Sequence, residues 1–302
     1  RELESGELGY IDGMLVIRNG TIVFEKEYTN DYDSLFITTN TEPGMYNYFD
    51  PKWHPYYKDT RLHTMQSVSK SLTAAAVGIA LKNDQIPGLD TKIMNYFDEY
   101  ESSTPDHRRD AMTIRDVLTM TTGIRWDESS MPYTDPTSNC VQMEKSSDWV
   151  QYVIDQPIEF EPGEKFEYNS GATMLLSYLI KNTTGLDLTD YVETNLFEVL
   201  GITEYYWKHT PKGLTDAEGG LYLTSRDLAK FGYLYLNNGK WDDKQILPDN
   251  WVENTLAKPV ETGSPWLKYS LQWWLMPYGN GHTALLASGL GGQRMIVLPE
   301  LD

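Results

Sequence analysis

Apolar and polar residues follow one pattern at the two ends of the chain and another in its middle. Near the start, residues 13–18 and 21–25 are apolar runs separated by Asn19-Gly20. Asn-Gly between strand-like runs is a strong signal for a two-residue hairpin turn. The strand pattern returns after residue 258 in three runs separated by glycine-rich turns, at 269–276, 282–288 and 293–298. The pattern therefore predicts β-structure at both ends.

The middle of the chain, about 85–258, has the spacing of helices rather than strands. One helix is predicted just before this region, at 67–81. Within the region, the predicted helices cover 113–120, 147–155, 170–181, 188–200 and 224–237, and a further helix starts near 247. The helix at 67–81 is apolar on nearly all sides and rich in alanine. Such a helix is expected to be central and buried.

Strands at both ends around a helical middle predict an α+β fold, an α/β sandwich with an antiparallel sheet flanked by helices. All 302 residues, of which 40% are hydrophobic, fit one domain with a sizeable core. We expect a single sheet closed by both ends, with a sheet subregion at about 1–65 and 260–302. A mainly helical subregion occupies about 85–258, and a cleft lies between the two.

Residues 40–63 have no clear period but many aromatic residues and prolines. A loop of this length is usually functional or disordered, and its aromatic content favours a packed loop. It either forms a rim over the cleft or covers the core.

Charge and hydropathy exclude several classes of partner. The chain has 25 basic and 44 acidic residues, a net charge of −19. Nucleic acids and anionic membrane surfaces would repel it, so neither is an expected partner. The longest strongly apolar stretch, Leu72–Leu81, is about half of the roughly 20 residues that span a bilayer. No membrane span is predicted.

Several common kinds of reactive or metal-binding site are not indicated by the spacing of their residues. Cys140 is the only cysteine and lies in a predicted polar loop with no adjacent histidine. The five histidines have no metal-ligand spacing, and His63, although close to Ser67 in sequence, is interpreted as structural. There is no Gly-x-Ser-x-Gly motif of the α/β-hydrolase type. We therefore expect no metal and no cofactor.

The first candidate for chemistry is Ser67-Val-Ser-Lys70 at the start of the buried helix. Residues i and i+3 share a helix face, so the Lys70 amine can reach the Ser67 hydroxyl. Desolvation lowers the pKa of a lysine and can make it a base for the serine proton. Ser69 and Ser71 have no lysine three residues later. Taken alone, the pattern also fits a capping serine followed by a surface lysine.

Two further segments supply polar groups to the same cleft. Tyr168 and Ser170 lie where a turn-rich loop enters a helix, and a phenol near an ammonium can pass protons to a leaving group. Late in the chain, Ser288 and Gly289 lie at a strand edge where a substrate can approach the backbone. The next amide, that of Leu290, can complete an oxyanion hole with the amide of Ser67.

The order Ser67-x-x-Lys70, Tyr168-Asn-Ser170 and a glycine-rich strand segment resembles the class C β-lactamase and penicillin-binding-protein superfamily, which includes carboxylesterases. The runs 11–20, 113–124 and 219–232 are also similar to this family, so the resemblance covers nearly the whole chain. It implies a β-lactamase/transpeptidase-like fold and an acyl-enzyme on Ser67. It also implies acid and base roles shared by Lys70 and Tyr168, without a metal or cofactor.

Two positions depart from the family pattern. Lactam-hydrolysing and transpeptidase members carry Lys-Thr-Gly in the third motif, and many esterases carry histidine there, whereas this chain has Ala287-Ser288-Gly289. The second motif usually ends in asparagine, and here Ser170 occupies that position. Both departures disfavour an efficient β-lactamase or a peptidoglycan carboxypeptidase. The form Gly-Leu-Gly-Gly-Gln at 289–293 more closely resembles the esterase and aminohexanoate-dimer hydrolase branch. The chain also ends before the last strand and terminal helix that the family implies, and we interpret these as missing.

The favoured function is hydrolysis of a small-molecule ester or amide by a serine hydrolase. One alternative is a D-amino-acid peptidase or weak β-lactamase, which the lack of a third-motif cation disfavours. The other is a non-catalytic binding domain of the penicillin-recognising sensor type. The family and the non-Met start favour a periplasmic or secreted location, and the oligomeric state stays open.

Overall fold

The computed structural model describes residues 10–39 and 46–301. The parts of the predicted sheet region and aromatic loop that fall on 1–9, 40–45 and 302 lie outside the described residues. Helices and antiparallel sheets combine as predicted, so the α+β fold class is confirmed. In the described part of the chain, no helix is both long and apolar enough to cross a membrane.

The strands are short and concentrated towards the two ends of the chain. They are β1 (Gly13–Arg18), β2 (Thr21–Glu27), β3 (His63–Thr64), β4 (Tyr206–Trp207), β5 (Leu221–Leu223), β6 (Lys240–Trp241), β7 (Lys244–Gln245), β8 (Val260–Glu261), β9 (Lys268–Ser270), β10 (Trp273–Tyr278), β11 (His282–Ser288) and β12 (Arg294–Val297). The predicted hairpin is β1–β2, and Asn19 and Gly20 both have positive φ, which a turn of this kind requires.

The helices agree with the predicted positions, apart from two that the pattern did not indicate. They are α1 (Tyr32–Thr39), α2 (Ser69–Lys82), α3 (Ile114–Leu118), α4 (Asn139–Lys145), α5 (Trp149–Ile154), α6 (Ser170–Thr184), α7 (Leu188–Val192), α8 (Glu198–Leu200), α9 (Ser225–Leu236) and α10 (Trp251–Ala257). A π-helical turn joins α7 to α8. The unpredicted helices are α1 and α4. The eight residues of α1 include two adjacent threonines and give a weak helical signal. Helix α4 occupies a segment for which a polar loop was expected.

The strands form separate sheets rather than one. Strands β8 to β12 make an antiparallel sheet in the order β12-β11-β10-β9-β8, and β3, β5 and β4 make a smaller one. The β1–β2 hairpin pairs with neither of them in the described residues, so the expectation of a single sheet closed by both ends is wrong there. Helix α9 instead packs against both β1 and β12, and this contact links the two ends of the chain.

The core lies around two buried helices, α2 and α6, which pack against each other. The side chain of Gln272, between β9 and β10, ties the large sheet to this helical core. Its amide donates to the carbonyl of Val117 at 3.0 Å, and its oxygen accepts from Thr173 Oγ1 at 3.1 Å. Because β11 packs beside the turn that precedes α2, the sheet and the helical region meet at the start of α2.

Candidate active site

Ser67 lies in a 3₁₀ turn, Gln66–Val68, directly before α2 rather than within it. The Met65 amide donates to the carbonyl of Leu221 at 2.8 Å, which anchors this turn to β5. Gln66 has a φ of +49°, a left-handed conformation that is uncommon for a residue with a side chain. Such conformations persist where the surrounding structure enforces them, and they cluster at functional sites.

Lys70 is 1% exposed, whereas Ser67 is half-buried. The Lys70 Nζ donates to Ser67 Oγ at 2.9 Å. It also donates to the backbone carbonyl of Glu218 at 2.7 Å and contacts Glu218 Oε2 at 3.3 Å. The predicted i, i+3 contact between lysine and serine is therefore present, and a carboxylate that the sequence did not indicate lies on the other side of the ammonium.

The pKa of Lys70 differs from the expectation of a lowered value. Burial does lower it, but the neighbouring acidic groups of Tyr168, Glu218 and Glu128 outweigh burial, and the pKa of Lys70 is raised. The desolvation argument treated the helix face as apolar, whereas the opposing loops bring carboxylates to it. Lys70 therefore rests as an ammonium.

Tyr168 lies in the loop that leads into α6, and its ring faces the same ammonium. Lys70 Nζ is 5.3 Å from the centroid of the Tyr168 ring. The ring stacks on Trp274, with centroids 5.6 Å apart and planes 19° apart, which fixes its orientation. Burial raises the pKa of Tyr168, although Lys70 and a hydrogen bond with Ser67 act in the opposite direction. The tyrosine is therefore a neutral phenol at rest, with its ring against the Lys70 ammonium.

The third predicted segment ends β11 and turns back into β12. The Gly289 amide donates to the carbonyl of Gln293 at 2.8 Å. A Cβ at Gly289 would lie 2.4 Å from the Met65 carbonyl oxygen, so only glycine lets the strand approach the Ser67 turn this closely. Among the described residues, no hydrogen-bond acceptor is found for the amides of Ser67 and Leu290. Ser288 is half-buried at the end of β11.

Ser170 does not present a free hydroxyl at the cleft. It is the first residue of α6, is 1% exposed, and donates from Oγ to Glu128 Oε1 at 2.7 Å. The same carboxylate accepts from the Ser170 amide at 2.8 Å, from Trp126 Nε1 at 2.5 Å and from Tyr133 OH at 2.9 Å. Burial raises the pKa of Glu128, while Lys70 and these hydrogen bonds oppose that effect.

A cluster of acidic groups adjoins Lys70 through Glu218. Cys140, Glu144 and Glu218 each bring one potential ligand atom within 4.8 Å of the others. These atoms could hold a metal ion in principle, but the Lys70 ammonium already supplies the cation next to Glu218. Cys140 is buried on α4 rather than in a polar loop, and burial raises the pKa of its thiol well above the ordinary value.

Part of the aromatic segment before Ser67 crosses the cleft. The Tyr46 hydroxyl donates to Glu144 on α4, and its ring packs edge-on against Tyr133. Two residues later, the Tyr48 hydroxyl donates to the carbonyl of Leu290 at 3.3 Å. Of the two predicted roles for this loop, the described residues favour the rim over the cleft.

The residues that sequence reasoning missed are all acidic: Glu128, Glu144 and Glu218. Glu218 directly precedes the family-like run 219–232, and this position was its only available signal. Glu128 and Glu144 occur in polar segments whose pattern resembles that of solvated surface. His63, by contrast, has the predicted structural role, since its Nε2 pairs with Asp12 Oδ2 at 3.0 Å.

Comparisons with known proteins agree with this architecture. A family model described as Beta-lactamase matches residues 11–302. A 6-aminohexanoate-dimer hydrolase of Paenarthrobacter ureafaciens is 26% identical over 261 residues, which cover 80% of this chain and 64% of that protein. The chain thus spans less than two thirds of this curated relative.

Two solved structures share the fold at lower identity. A penicillin binding protein from Bacillus halodurans has 17% identity and a TM-score of 0.66, over 95% of this chain and 88% of that one. EstCE1, described as a hydrolase with promiscuous acyltransferase activity, has 15% identity and a TM-score of 0.70, over 99% of this chain and 89% of that one. Because the family model matches nearly the whole chain, the protein belongs to the Beta-lactamase family.

Proposed function

We propose that this protein hydrolyses a small-molecule ester or amide through an acyl intermediate on Ser67. The observation that carries the proposal is the 2.9 Å contact between Lys70 Nζ and Ser67 Oγ, with Lys70 buried and Ser67 accessible. A serine hydroxyl becomes an effective nucleophile when a neighbouring group accepts its proton. Lys70 contacts this hydroxyl, the Tyr168 ring lies against Lys70, and the two residues form the candidate proton-accepting pair.

Activation of Ser67 requires the pair to lose one proton first. The pKa values of Lys70 and Tyr168 are both raised, so the pair at rest holds an ammonium and a neutral phenol. After one proton is lost to solvent, the pair takes the Ser67 proton while Oγ bonds to the substrate carbonyl carbon. Because the groups are strongly coupled, the apparent pKa belongs to the pair rather than to either residue. The rate of acylation should therefore rise with pH from neutral into the alkaline range.

The next requirement is to stabilise the negative charge that develops on the carbonyl oxygen. The amides of Ser67 and Leu290 are the candidate donors, because the close approach at Gly289 brings the two turns together. Two backbone donors aimed at a developing oxyanion typically contribute several kcal/mol to transition-state stabilisation.

The remaining steps restore Ser67 and the Lys70–Tyr168 pair to the number of protons they held before acylation, because water replaces the proton that departs with the leaving group. The bond from the carbonyl carbon to the leaving group breaks, and the leaving oxygen or nitrogen takes the proton held by Lys70 and Tyr168. A water molecule then gives a proton to the pair as its oxygen attacks the acyl carbon. The ester bond to Ser67 breaks, and Oγ regains its proton.

The substrate class follows from the third motif. Ala287, Ser288 and Gly289 offer no cation to a substrate carboxylate. Glu218 contacts Lys70 at 3.3 Å, Glu128 lies nearby, and Glu144 adjoins Glu218. We therefore favour a neutral acyl group, and esters or small amides over penicillins and peptidoglycan peptides, which carry a carboxylate.

The test is a time course with p-nitrophenyl acetate and butyrate, comparing the wild type with Ser67→Ala. We expect sustained turnover by the wild type and a loss of about 10⁴-fold or more in the variant, because the covalent route is removed. Mass spectrometry of stopped reactions should find one acyl group on the wild type. Ser69→Ala is the matched control, since the Ser69 hydroxyl accepts from the Leu221 amide and bonds to neither Lys70 nor Tyr168.

The alternatives give other results. A stoichiometric adduct without turnover would favour a penicillin-recognising sensor. Turnover that persists in Ser67→Ala, or the absence of both adduct and turnover in the wild type, would contradict the proposal. Turnover of a β-lactam or a D-amino-acid peptide at rates above those for the esters would favour the peptidase or weak β-lactamase.

A further inference from the structure

The acid next to Lys70 is part of a carboxyl pair. The Glu218 carboxyl group contacts Lys70 Nζ at 3.3 Å on one side. A carboxylate oxygen of Glu218 also lies within 4.8 Å of one of Glu144 on α4. Two buried carboxyl groups this close disfavour a second negative charge, so one of them tends to hold a proton. The Tyr46 hydroxyl donates to Glu144.

The charges of this pair differ between its two members. Burial and the charge of Glu218 raise the pKa of Glu144 well above the usual range, so Glu144 is the member that holds the proton near neutral pH. Glu218 is then left as the carboxylate that faces the ammonium. Because Lys70 also donates to the backbone carbonyl of Glu218 at 2.7 Å, its position does not depend on the Glu218 side chain alone.

Other titratable groups face this pair from every neighbouring element. Burial and Glu218 raise the pKa of Asp216 to about 7, against the effect of Lys208. The surrounding set consists of Lys70 on α2, Glu128 after α3, Cys140 on α4, Tyr168 before α6, Lys208 after β4, Asp216 before β5, Tyr222 on β5, and Tyr46 and Tyr48 in the aromatic segment. Of these, Lys70 is the cation that hydrogen-bonds to Glu218.

We propose that Glu218 and Glu144 act together as a proton-sharing pair whose single negative charge holds the Lys70 ammonium beside Ser67 and so sets the pH at which Ser67 becomes nucleophilic. Both are positioning residues, because they act through Lys70 and not on the substrate. This inference rests on the proposed function. It assigns a role to two carboxyl groups that a minimal serine–lysine–tyrosine mechanism does not use.

The sign of the effect follows from electrostatics. An opposite charge within about 4–6 Å stabilises the charged form of a group and shifts its pKa by about 1–3 units. Removing the charge of Glu218 therefore makes it easier for the Lys70–Tyr168 pair to lose its first proton. The reactive form should then appear at lower pH than in the wild type.

The experiment measures kcat/KM for p-nitrophenyl acetate from pH 5 to pH 10 in the wild type, Glu218→Gln, Glu218→Asp and Glu144→Gln. For Glu218→Gln we expect the acid limb of the profile to move to lower pH by about 1 unit or more. Glu218→Asp keeps the charge but moves it away from Lys70 by the length of one methylene group. Its acid limb should therefore lie between those of the wild type and Glu218→Gln. Glu144→Gln replaces a group that is already neutral and should move the limb less than Glu218→Gln.

A purely structural role would lower activity at all pH values without moving the limb. Glu99→Gln is the matched control for loss of one charge, because Glu99 bonds to Tyr178 rather than to a residue of the site. An acid limb that stays at the wild-type pH in Glu218→Gln, while hydrolysis still depends on Ser67, would overturn this inference and leave the proposed function intact.

Failure of the proposed function has a different signature, namely the absence of hydrolysis that depends on Ser67 in the wild type. If Glu218→Gln does not fold, as judged by circular dichroism, the other two variants decide. An unmoved limb in Glu218→Asp would then overturn the proposal, and so would a larger shift in Glu144→Gln than in Glu218→Asp.

Discussion

The two sides of Ser67 are built from different chemistry. On the helical side, Lys70 is surrounded by buried titratable groups, with Glu218 in direct contact and Glu128 nearby. On the sheet side, the segment from Ala287 to Leu290 carries no charged side chain and approaches the serine through its backbone. In the proposed mechanism, one side holds and moves protons and the other receives a carbonyl group.

This difference separates what the site needs for reaction from what it needs for recognition. A proton-transferring group needs an environment that fixes its charge, and burial among carboxyl groups provides one. A backbone surface can bind a carbonyl oxygen without selecting the charge of the rest of the substrate. We therefore expect substitutions on the helical side to act on rate and pH dependence, and those on the sheet side to act through the geometry of the turn.

The largest effect is expected on the helical side, from Lys70→Met. This change removes the ammonium and leaves Glu218 and Glu128 buried without a countercharge. Loss of one partner of a buried ion pair costs about 3–5 kcal/mol of folding stability. Loss of the proton-transfer group should lower kcat/KM by about 10²–10⁴-fold. Thermal unfolding and ester hydrolysis measure the two effects separately.

Lys208→Met is the matched control for this variant. Lys208 lies 5.4 Å from the Tyr222 ring centroid and faces Asp216, but it does not bond to Ser67. Lys208→Met should therefore lower the rate of acylation much less than Lys70→Met does. Equal losses in the two variants would mean that the charge balance of the cluster, rather than the contact with Ser67, determines activity.

On the sheet side, Gly289→Ala should have the next largest effect. The new Cβ would lie 2.4 Å from the Met65 carbonyl oxygen, so the backbone of one turn must move. Overpacking of this kind costs about 1–3 kcal/mol, and the displaced Leu290 amide should lower kcat more than it raises KM. Gly88→Ala adds the same methyl group where no atom lies within 4 Å, and it should behave as the wild type. Activity retained by Gly289→Ala would argue against an oxyanion hole at Leu290.

The sequence predicted the elements of the fold better than their assembly. Helix α2 and the hairpin β1–β2 follow from local signals, namely alanine-rich apolar spacing and Asn19-Gly20. The separation of the hairpin from the large sheet depends on which strands pair across the molecule. Local periodicity carries no information on such pairing, and the single-sheet expectation therefore failed.

In the site, too, the features set by local sequence were predicted and those set by long-range contacts were not. The contact between Ser67 and Lys70 follows from helical spacing, and Tyr168 was indicated by its place in a family-like segment. Glu218 reaches Lys70 from a position 148 residues away in sequence. Contacts of that range arise only in the folded chain. For this reason the lysine was expected to have a lowered pKa, although its neighbours raise it.

The smallest effect is expected at the rim, where Tyr48→Phe removes only the hydroxyl that donates to the Leu290 carbonyl. A single hydrogen bond of this kind contributes about 0.5–1.5 kcal/mol, which corresponds to at most about a tenfold change in kcat/KM. Tyr57→Phe, in the same aromatic segment, is the matched control, because its ring stacks on Tyr206 away from the Leu290 turn. If Tyr48 helps to hold the turn, butyrate and acetate esters should lose similar factors in Tyr48→Phe, since the carbonyl they share is affected. If it instead walls the acyl pocket, the ratio of the two rates should change, and the rim would belong to recognition rather than to the geometry of the turn.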